Sequence, residues 1–332
     1  MLRMFFRRIR PGQLIVLVFL GIILLGAGLL CLPAAARSGR PTPFLTSLFT
    51  ATSATCVTGL IRVDTGTHWT MFGQVVILLL IQVGGLGFMT IACLFFFALR
   101  RRIGLRQRMV LAQALGSDTY SGIVSLVRNI LRGTAAVEGV GALILFFRFL
   151  PEFGFGRALW YGVFHSVSAF CNAGFDILGT AERPYPSLTA YVGNPVVNIT
   201  VIFLLVVGGL GFLTWDDIRT HRWRLSRYRM QSKVILATTA ILLLFPAVLF
   251  FFTEYSAFPL QKRILASLFQ SATPRTAGFN TTDLAAMSDA SRAVMILLML
   301  VGGAPGSTAG GMKVTTLAVL AANLVALAAL HS

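Results

Sequence analysis

The feature that most constrains this chain is a set of apolar runs long enough to cross a bilayer. Leu14–Leu32, Met71–Leu99, Val196–Trp215 and Val234–Phe252 are the clearest, and about 20 residues of helix span the hydrocarbon core. Of the 332 residues, 56% are hydrophobic and only 12% charged. A soluble surface of this size could not be covered with so little charge. The expected class is an all-α polytopic membrane protein.

A net charge of +17 would point to nucleic acid in a soluble protein, but its distribution points elsewhere. The basic residues gather in three groups: Arg3, Arg7, Arg8 and Arg10; Arg100, Arg101, Arg102, Arg106 and Arg108; and Arg219, Arg222, Arg224, Arg227, Arg229 and Lys233. Each group flanks an apolar run, as cytoplasmic segments do under the positive-inside rule. The reading is a multi-pass protein of the cell membrane with a cytoplasmic N-terminus, lipid around it and no nucleic-acid partner. The N-terminal run is longer than the roughly 7–15 apolar residues of a signal peptide, which argues against cleavage.

Cys31, Cys56, Cys93 and Cys171 are far apart and form no C-x-x-C pair, so neither a disulfide framework nor structural zinc is expected. His68, His165, His221 and His331 form no ligand cluster. No metal site, covalent cofactor or nucleophile–base pair stands out.

With the basic groups held on one side, the segments between them must make round trips. Leu14–Leu32 goes out and Met71–Leu99 returns; Pro41–Thr55 between them is too short to cross twice and too apolar for an ordinary loop. It suits a re-entrant helix, which is tolerated where protein encloses it or water faces it. The layout recurs: Ser125–Leu150 out, Arg157–Ala169 re-entrant, Tyr191–Trp215 back; then Val234–Phe252 out, Lys262–Thr273 re-entrant, Arg292 onward back. This gives a first unit over 1–100, a cytoplasmic linker over 101–124, a second unit over 125–220, a linker over 221–230 and a third unit over 231–332.

The repeats align on one glycine: Thr55-Cys56-Val57-Thr58-Gly59-Leu60, Phe170-Cys171-Asn172-Ala173-Gly174-Phe175 and Pro274-Arg275-Thr276-Ala277-Gly278-Phe279. A second signature marks the returning segments, Gly84-Gly85-Leu86-Gly87-Phe88 and Gly208-Gly209-Leu210-Gly211-Phe212, with Gly302-Gly303-Ala304-Pro305-Gly306 in the third. A helix ending at mid-membrane and followed by a glycine-hinged extended turn aims backbone carbonyls at an axis, where they replace a cation's hydration shell. Glycine permits positive φ and close approach, and the helix C-terminus adds partial negative charge. The expected selectivity-filter residues are Val57, Thr58, Gly59, Asn172, Ala173, Gly174, Thr276, Ala277 and Gly278. A lone glycine would more often mark a turn or a close helix contact; threefold recurrence favours the filter.

Asp64, Asp176 and Asp283 follow the three glycines, and Glu152, Glu182, Glu254 and Asp289 fall on the same outer side. A negative outer mouth would concentrate cations; helix capping or solvated loop charge is the alternative. Arg275, beside a filter glycine, is expected to pair with a carboxylate, and the intramembrane Glu138 to sit in a structural ion pair. The stretch Gly302, Gly303, Ala304, Pro305, Gly306, Ser307, Thr308, Ala309, Gly310, Gly311, with Lys313 after Met312, fails the phosphate-loop pattern. It reads instead as a break in a helix at membrane depth, either a flexible gating loop or a kink satisfied by its neighbours.

At these residues the chain resembles the Ktr/Trk/HKT superfamily of potassium transporters, most of all the pore-forming membrane subunit of Ktr systems. The matching stretches are Thr52–Thr67, Ile81–Thr90, Phe164–Asp176, Gly208–Asp217, Gln270–Asp283 and Gly302–Lys313, spread over essentially the whole chain. The resemblance implies tandem helix–pore-loop–helix units around a pseudo-fourfold pore, with potassium as permeant ion and sodium as a possible coupling or activating ion. It also implies a homodimer docked on a cytoplasmic nucleotide-binding regulatory subunit. The family has four such units and about three are legible here, so a truncated product or fragment, even a non-conducting one, is an alternative expectation. A multipass membrane enzyme is the competing class. It would need polar catalytic groups converging at one depth, where the repeats offer carbonyls, glycines and small residues.

Overall fold

The computed structural model describes residues 11–87 and 123–331. The basic groups around Arg3–Arg10 and Arg100–Arg108, Phe88, Cys93 and most of the 101–124 linker lie outside them. Among the described residues the secondary structure is helical, with no β-strand beyond isolated bridges. In chain order the helices are α1 (Pro11–Cys31), α2 (Phe44–Thr55), α3 (Thr65–His68), α4 (Met71–Leu86), α5 (Ile123–Phe170), α6 (Pro195–Gly209) and α7 (Phe212–His221). They continue with α8 (Met230–Thr253), α9 (Leu260–Ala272), α10 (Asp289–Leu300) and α11 (Val314–His331).

Local sequence explains several of the helix ends. Pro11 and Pro195 occupy the first turns of α1 and α6, where a missing N–H costs nothing. Asn194 caps α6 by accepting from the Val197 N–H, and Thr70 caps α4 by accepting from the Gly73 N–H. α5 is two helices joined at a kink, where Gly154 (φ 71°, ψ 171°) leaves helical geometry three residues after Pro151. The segment after that break is the expected second re-entrant helix; α2 and α9 are the first and third.

The packing is inverted relative to a soluble protein. Phe245, Val325, Phe252 and Phe147 are each about two-thirds exposed, whereas Ser47, Ser166, Gln270 and Ser271 are fully buried. An apolar exterior around a polar, small-residue interior suits hydrocarbon as solvent. α1 packs on α2, α5 on α6 and α8 on α9, so each outward helix supports a re-entrant or returning partner.

The returning segments depart from expectation. Val196–Trp215 reads as one span, but the helix stops at Gly209 and restarts at Phe212 in a direction 99° away. α4 likewise ends at Leu86, capped by Gly87; the rest of Met71–Leu99 lies outside the described residues. Gly87 (φ 77°, ψ 141°) and Gly211 (φ 83°, ψ 141°) share one backbone conformation. The bend in the second unit is therefore built at Gly211, the third glycine of its Gly-Gly-Leu-Gly signature, and Gly87 ends α4 in the same conformation. The third returning segment is also broken, between α10 and α11, as the sequence indicated.

Candidate ion pathway

The re-entrant helices end in three loops of matching backbone. Positive φ occurs two residues before each marker glycine and again at the glycine: Val57 (55°) and Gly59 (73°), Asn172 (56°) and Gly174 (69°), Thr276 (71°) and Gly278 (82°). Left-handed conformations cost a non-glycine residue about 1–2 kcal/mol, so three repetitions mark a constrained site.

The loops also meet. A Cβ on Gly59 would stand 2.6 Å from the Ala173 carbonyl oxygen, and one on Gly174 would stand 2.3 Å from the Ala277 carbonyl oxygen and 3.1 Å from the Gly278 Cα. The first loop thus abuts the second and the second abuts the third. Gly59 and Gly174 are required by both φ and space. At Gly278 the nearest atom, the Gly174 Cα, would be at an ordinary 3.7 Å, so φ alone requires glycine there.

Each loop is clamped to its own helix. Thr58 N–H donates to the Ser53 carbonyl at 2.9 Å and Ala173 N–H to the Ser168 carbonyl at 2.8 Å. Gly278 N–H donates to the Thr273 carbonyl at 3.3 Å. The Ser168 hydroxyl donates to the Phe175 carbonyl at 2.7 Å, and the Thr273 hydroxyl to the Phe279 carbonyl at 2.5 Å. These hydroxyl clamps were not singled out in the sequence, although Ser and Thr late in a re-entrant helix are the available signal.

Behind the first two loops the glycine doublets act as seats. A Cβ on Gly84 would lie 2.0 Å from the Thr55 carbonyl oxygen, and one on Gly208 the same distance from the Phe170 carbonyl oxygen. Thr55 and Phe170 hold equivalent places, four residues before the marker glycine. The returning helix is thereby pressed against the end of the re-entrant helix. Gly85 leaves room for Cys171, whose Sγ would be 2.6 Å from a Cβ there.

The Gly302–Gly311 loop closes on itself and docks on the second unit. Gly302 N–H donates to the Met312 carbonyl at 2.9 Å and Val314 N–H to the Gly303 carbonyl at 3.1 Å. The Ser307 hydroxyl reaches the Ala304 carbonyl, and Lys313 Nζ reaches the Ala309 carbonyl at 2.8 Å. Outward, Ala304 N–H donates to Gly209 and Thr308 N–H to Gly208, while Phe212 N–H donates to the Gly306 carbonyl at 2.8 Å. Pro305 places its carbonyl 2.6 Å from where a Cβ on Gly211 would be. Thr308 Oγ1 donates to the Phe170 carbonyl at 2.8 Å and accepts from Asn172 Nδ2 at 3.1 Å. This loop is therefore tied to the broken helix α6–α7 and to the second marker loop together.

Two expected ion pairs are absent among the described residues. Glu138 takes both its carboxylate contacts from Gln82 Nε2, each at 3.1 Å, and Gln82 Oε1 faces Cys171 Sγ at 3.7 Å. A neutral amide does the work assigned to a cation. Arg275 is buried and makes no ion pair there, and its Nε has no acceptor.

The three acidic residues differ. Asp64 caps α3, accepting from the Thr67 N–H at 2.7 Å and from the Tyr185 N–H at 2.8 Å. Asp176 is buried and accepts from the Leu178 N–H at 3.2 Å. Burial pushes its carboxyl up to about 6, against the Leu178 hydrogen bond and with help from the charge on Asp64. Asp283 is exposed and accepts from the Ala285 N–H.

Three glycine-hinged loops abutting one another inside an apolar-faced helical shell define a polytopic helical membrane protein built from repeated pore-loop units. Residues 17–329 match the TrkH family, described as a cation transport protein, and the chain belongs to that family. It is 43% identical over 319 residues to the potassium/sodium uptake protein NtpJ of Enterococcus hirae, covering 95% of this chain and 69% of that protein. It is 39% identical over 326 residues to the Ktr system potassium uptake protein B of Bacillus subtilis, covering 96% and 71%. The crystal structure of the potassium transporter TrkH from Vibrio parahaemolyticus shares its fold, with a TM-score of 0.72 at 17% identity over 97% of this chain and 63% of that one. The chain thus spans about two-thirds of the length of these proteins. Its relatives are transporters, and the membrane-enzyme alternative falls away.

Proposed function

We propose that this chain contributes a potassium-selective permeation pathway, with Val57–Gly59, Asn172–Gly174 and Thr276–Gly278 as filter segments. The observation that carries this reading is the mutual approach of Gly59, Gly174 and Gly278 in one repeated backbone conformation. Three helix C-termini end there, which favours a cation electrostatically, and potassium uptake is what the matched Ktr and NtpJ relatives are named for.

Gly302–Gly311 with Lys313 is the gating loop in this reading, held closed by its bonds to α6–α7 and to Asn172. Asp64, Asp176 and Asp283 contribute negative charge to the outer mouth, Asp64 mainly as a cap. Sodium acts as coupling or activating ion, in keeping with the relative named for both ions. The protein works in the cell membrane as a homodimer on a cytoplasmic nucleotide-binding subunit, with its N-terminus in the cytoplasm and the units divided as the repeats suggest.

The test is rubidium uptake into potassium-loaded proteoliposomes (an outward potassium gradient), with the chain as given and with a family-type fourth unit appended. The reading predicts uptake that potassium competes away in at least the completed protein. Uptake no faster than in empty vesicles from both forms contradicts it.

A further inference from the structure

A cavity of about 570 Å³ opens between α5 and the α6–α7 bend, away from the converging loops. This is the size of a small-molecule pocket. Its wall is apolar, formed chiefly by Leu126, Ile130, Val137, Val207, Leu210 and Phe212, with Trp215 across one side. Its rim is basic. Arg132 and Arg219 both line it, both are exposed, and neither makes a hydrogen bond or ion pair among the described residues. Asp216 is also at the rim but lies 3.5 Å from Arg229, so it leaves the two arginines uncompensated. Asn129 adds an amide beside them.

The depth of the cavity fits a lipid. Just past α7, Trp223 is 96% exposed between Arg222 and Arg224, the pairing of aromatic and basic side chains found at a membrane–water boundary. On the topology proposed above, this is the cytoplasmic leaflet, where anionic lipids concentrate and basic pockets between helices take their headgroups.

We propose that this cavity binds an anionic phospholipid, its phosphate between Arg132 and Arg219 and its acyl chain along Val207, Phe212 and Trp215. The acyl chain then lies against the bend whose Phe212 N–H holds the Gly306 carbonyl. Trp215 is fixed for that role: its Nε1 donates to the Val207 carbonyl at 3.0 Å, and its ring meets Phe170 and Phe212 edge-on. The lipid would therefore contact the seat of the Gly302–Gly311 loop. The inference rests on the proposed topology, and its test needs no transport.

The experiment reads fluorescence quenching of the full chain in phosphatidylcholine vesicles doped with dibrominated phosphatidylglycerol or dibrominated phosphatidylcholine. Subtracting the signal of a Trp215→Phe variant isolates Trp215. Two basic side chains at a membrane surface should enrich the anionic lipid on the order of tenfold, so half-quenching should come at about one-tenth the mole fraction of the neutral lipid. Arg132→Gln with Arg219→Gln should erase that preference without changing the melting temperature, both residues being exposed. Ala136→Phe, which fills the cavity, should weaken quenching by both lipids. Equal quenching by the two lipids, or a preference that survives neutralisation, overturns the proposal. So does a Trp215 shielded from both lipids, which would mean that residues 88–122 or a second copy of the chain fills the space.

Discussion

Asn172 Nδ2 donates to Thr308 Oγ1 at 3.1 Å, joining the second marker loop to the loop that interrupts the third returning helix. The same Thr308 hydroxyl donates to the Phe170 carbonyl at the end of the second re-entrant helix. One side chain thus reports the position of the proposed gate to the proposed filter.

Thr308→Val keeps the shape of this contact and removes both bonds. A neutral hydrogen bond contributes about 1 kcal/mol net, so the docked state should lose roughly fivefold or more in population. Rubidium flux through vesicles should rise by a similar factor, as it should when Gly303–Gly311 is shortened. Unchanged flux in both variants would remove the gating role.

The seat glycines should be intolerant where other glycines are not. Gly84→Ala or Gly208→Ala sets a methyl 2.0 Å from a backbone carbonyl, and overpacking of this kind costs about 1–3 kcal/mol or more. Gly28 has nothing within 4 Å of its would-be Cβ. Gly28→Ala should be neutral or gain up to about 1 kcal/mol from helix propensity. Melting in detergent checks the order: both seat variants below wild type, Gly28→Ala at or above it.

Gln82→Leu should be more harmful than Glu138→Gln. The first strands a half-buried carboxylate in the membrane without its donor, a loss of about 1–3 kcal/mol, whereas the second keeps a polar pair. The double variant Gln82→Leu/Glu138→Leu should recover most of the loss. A thermodynamic cycle in detergent through Gln82→Leu, Glu138→Leu and the double variant measures this, and additivity of those two single changes would deny the coupling.

Asp176 gives a pH dependence with a definite sign. Its folded pKa, about 6, lies above the ordinary carboxylate value, so between about pH 4 and 6 the folded state holds the extra proton. This group's contribution to stability therefore grows as pH falls through 6 and is lost as it rises past 6. Protonation also removes a negative charge from the proposed outer mouth. The apparent KM for rubidium should rise a few-fold between external pH 7.5 and 5.5, as for charge interactions worth about 0.2–1 kcal/mol. Asp176→Asn should show the higher KM at both values.

The fold and the marker loops were legible because they repeat. Apolar runs of bilayer length define the class, and three aligned glycines with matching re-entrant segments place Gly59, Gly174 and Gly278. What stayed hidden depends on contacts between units. Within Val196–Trp215 the Gly208-Gly209-Leu210-Gly211 signature marks where the helix can break, but not the 99° angle, which is held by the Phe212 N–H on the Gly306 carbonyl of another unit. Gln82, a polar residue inside an apolar run, was the available sign that Glu138 needs no cation. The sequence leaves Asp64 open between a helix cap and a mouth charge, and its bond from the Thr67 N–H makes it a cap. Arg275 keeps a buried guanidinium without the expected carboxylate, and no feature among the described residues accounts for it.

The most direct measurement is sodium competition against rubidium uptake in proteoliposomes for the completed protein and its Gly59→Ser and Gly174→Ser variants. A Cβ at either position collides with a neighbouring loop's carbonyl, so the account predicts that both variants admit sodium far more readily than wild type. Identical competition curves for all three would contradict it.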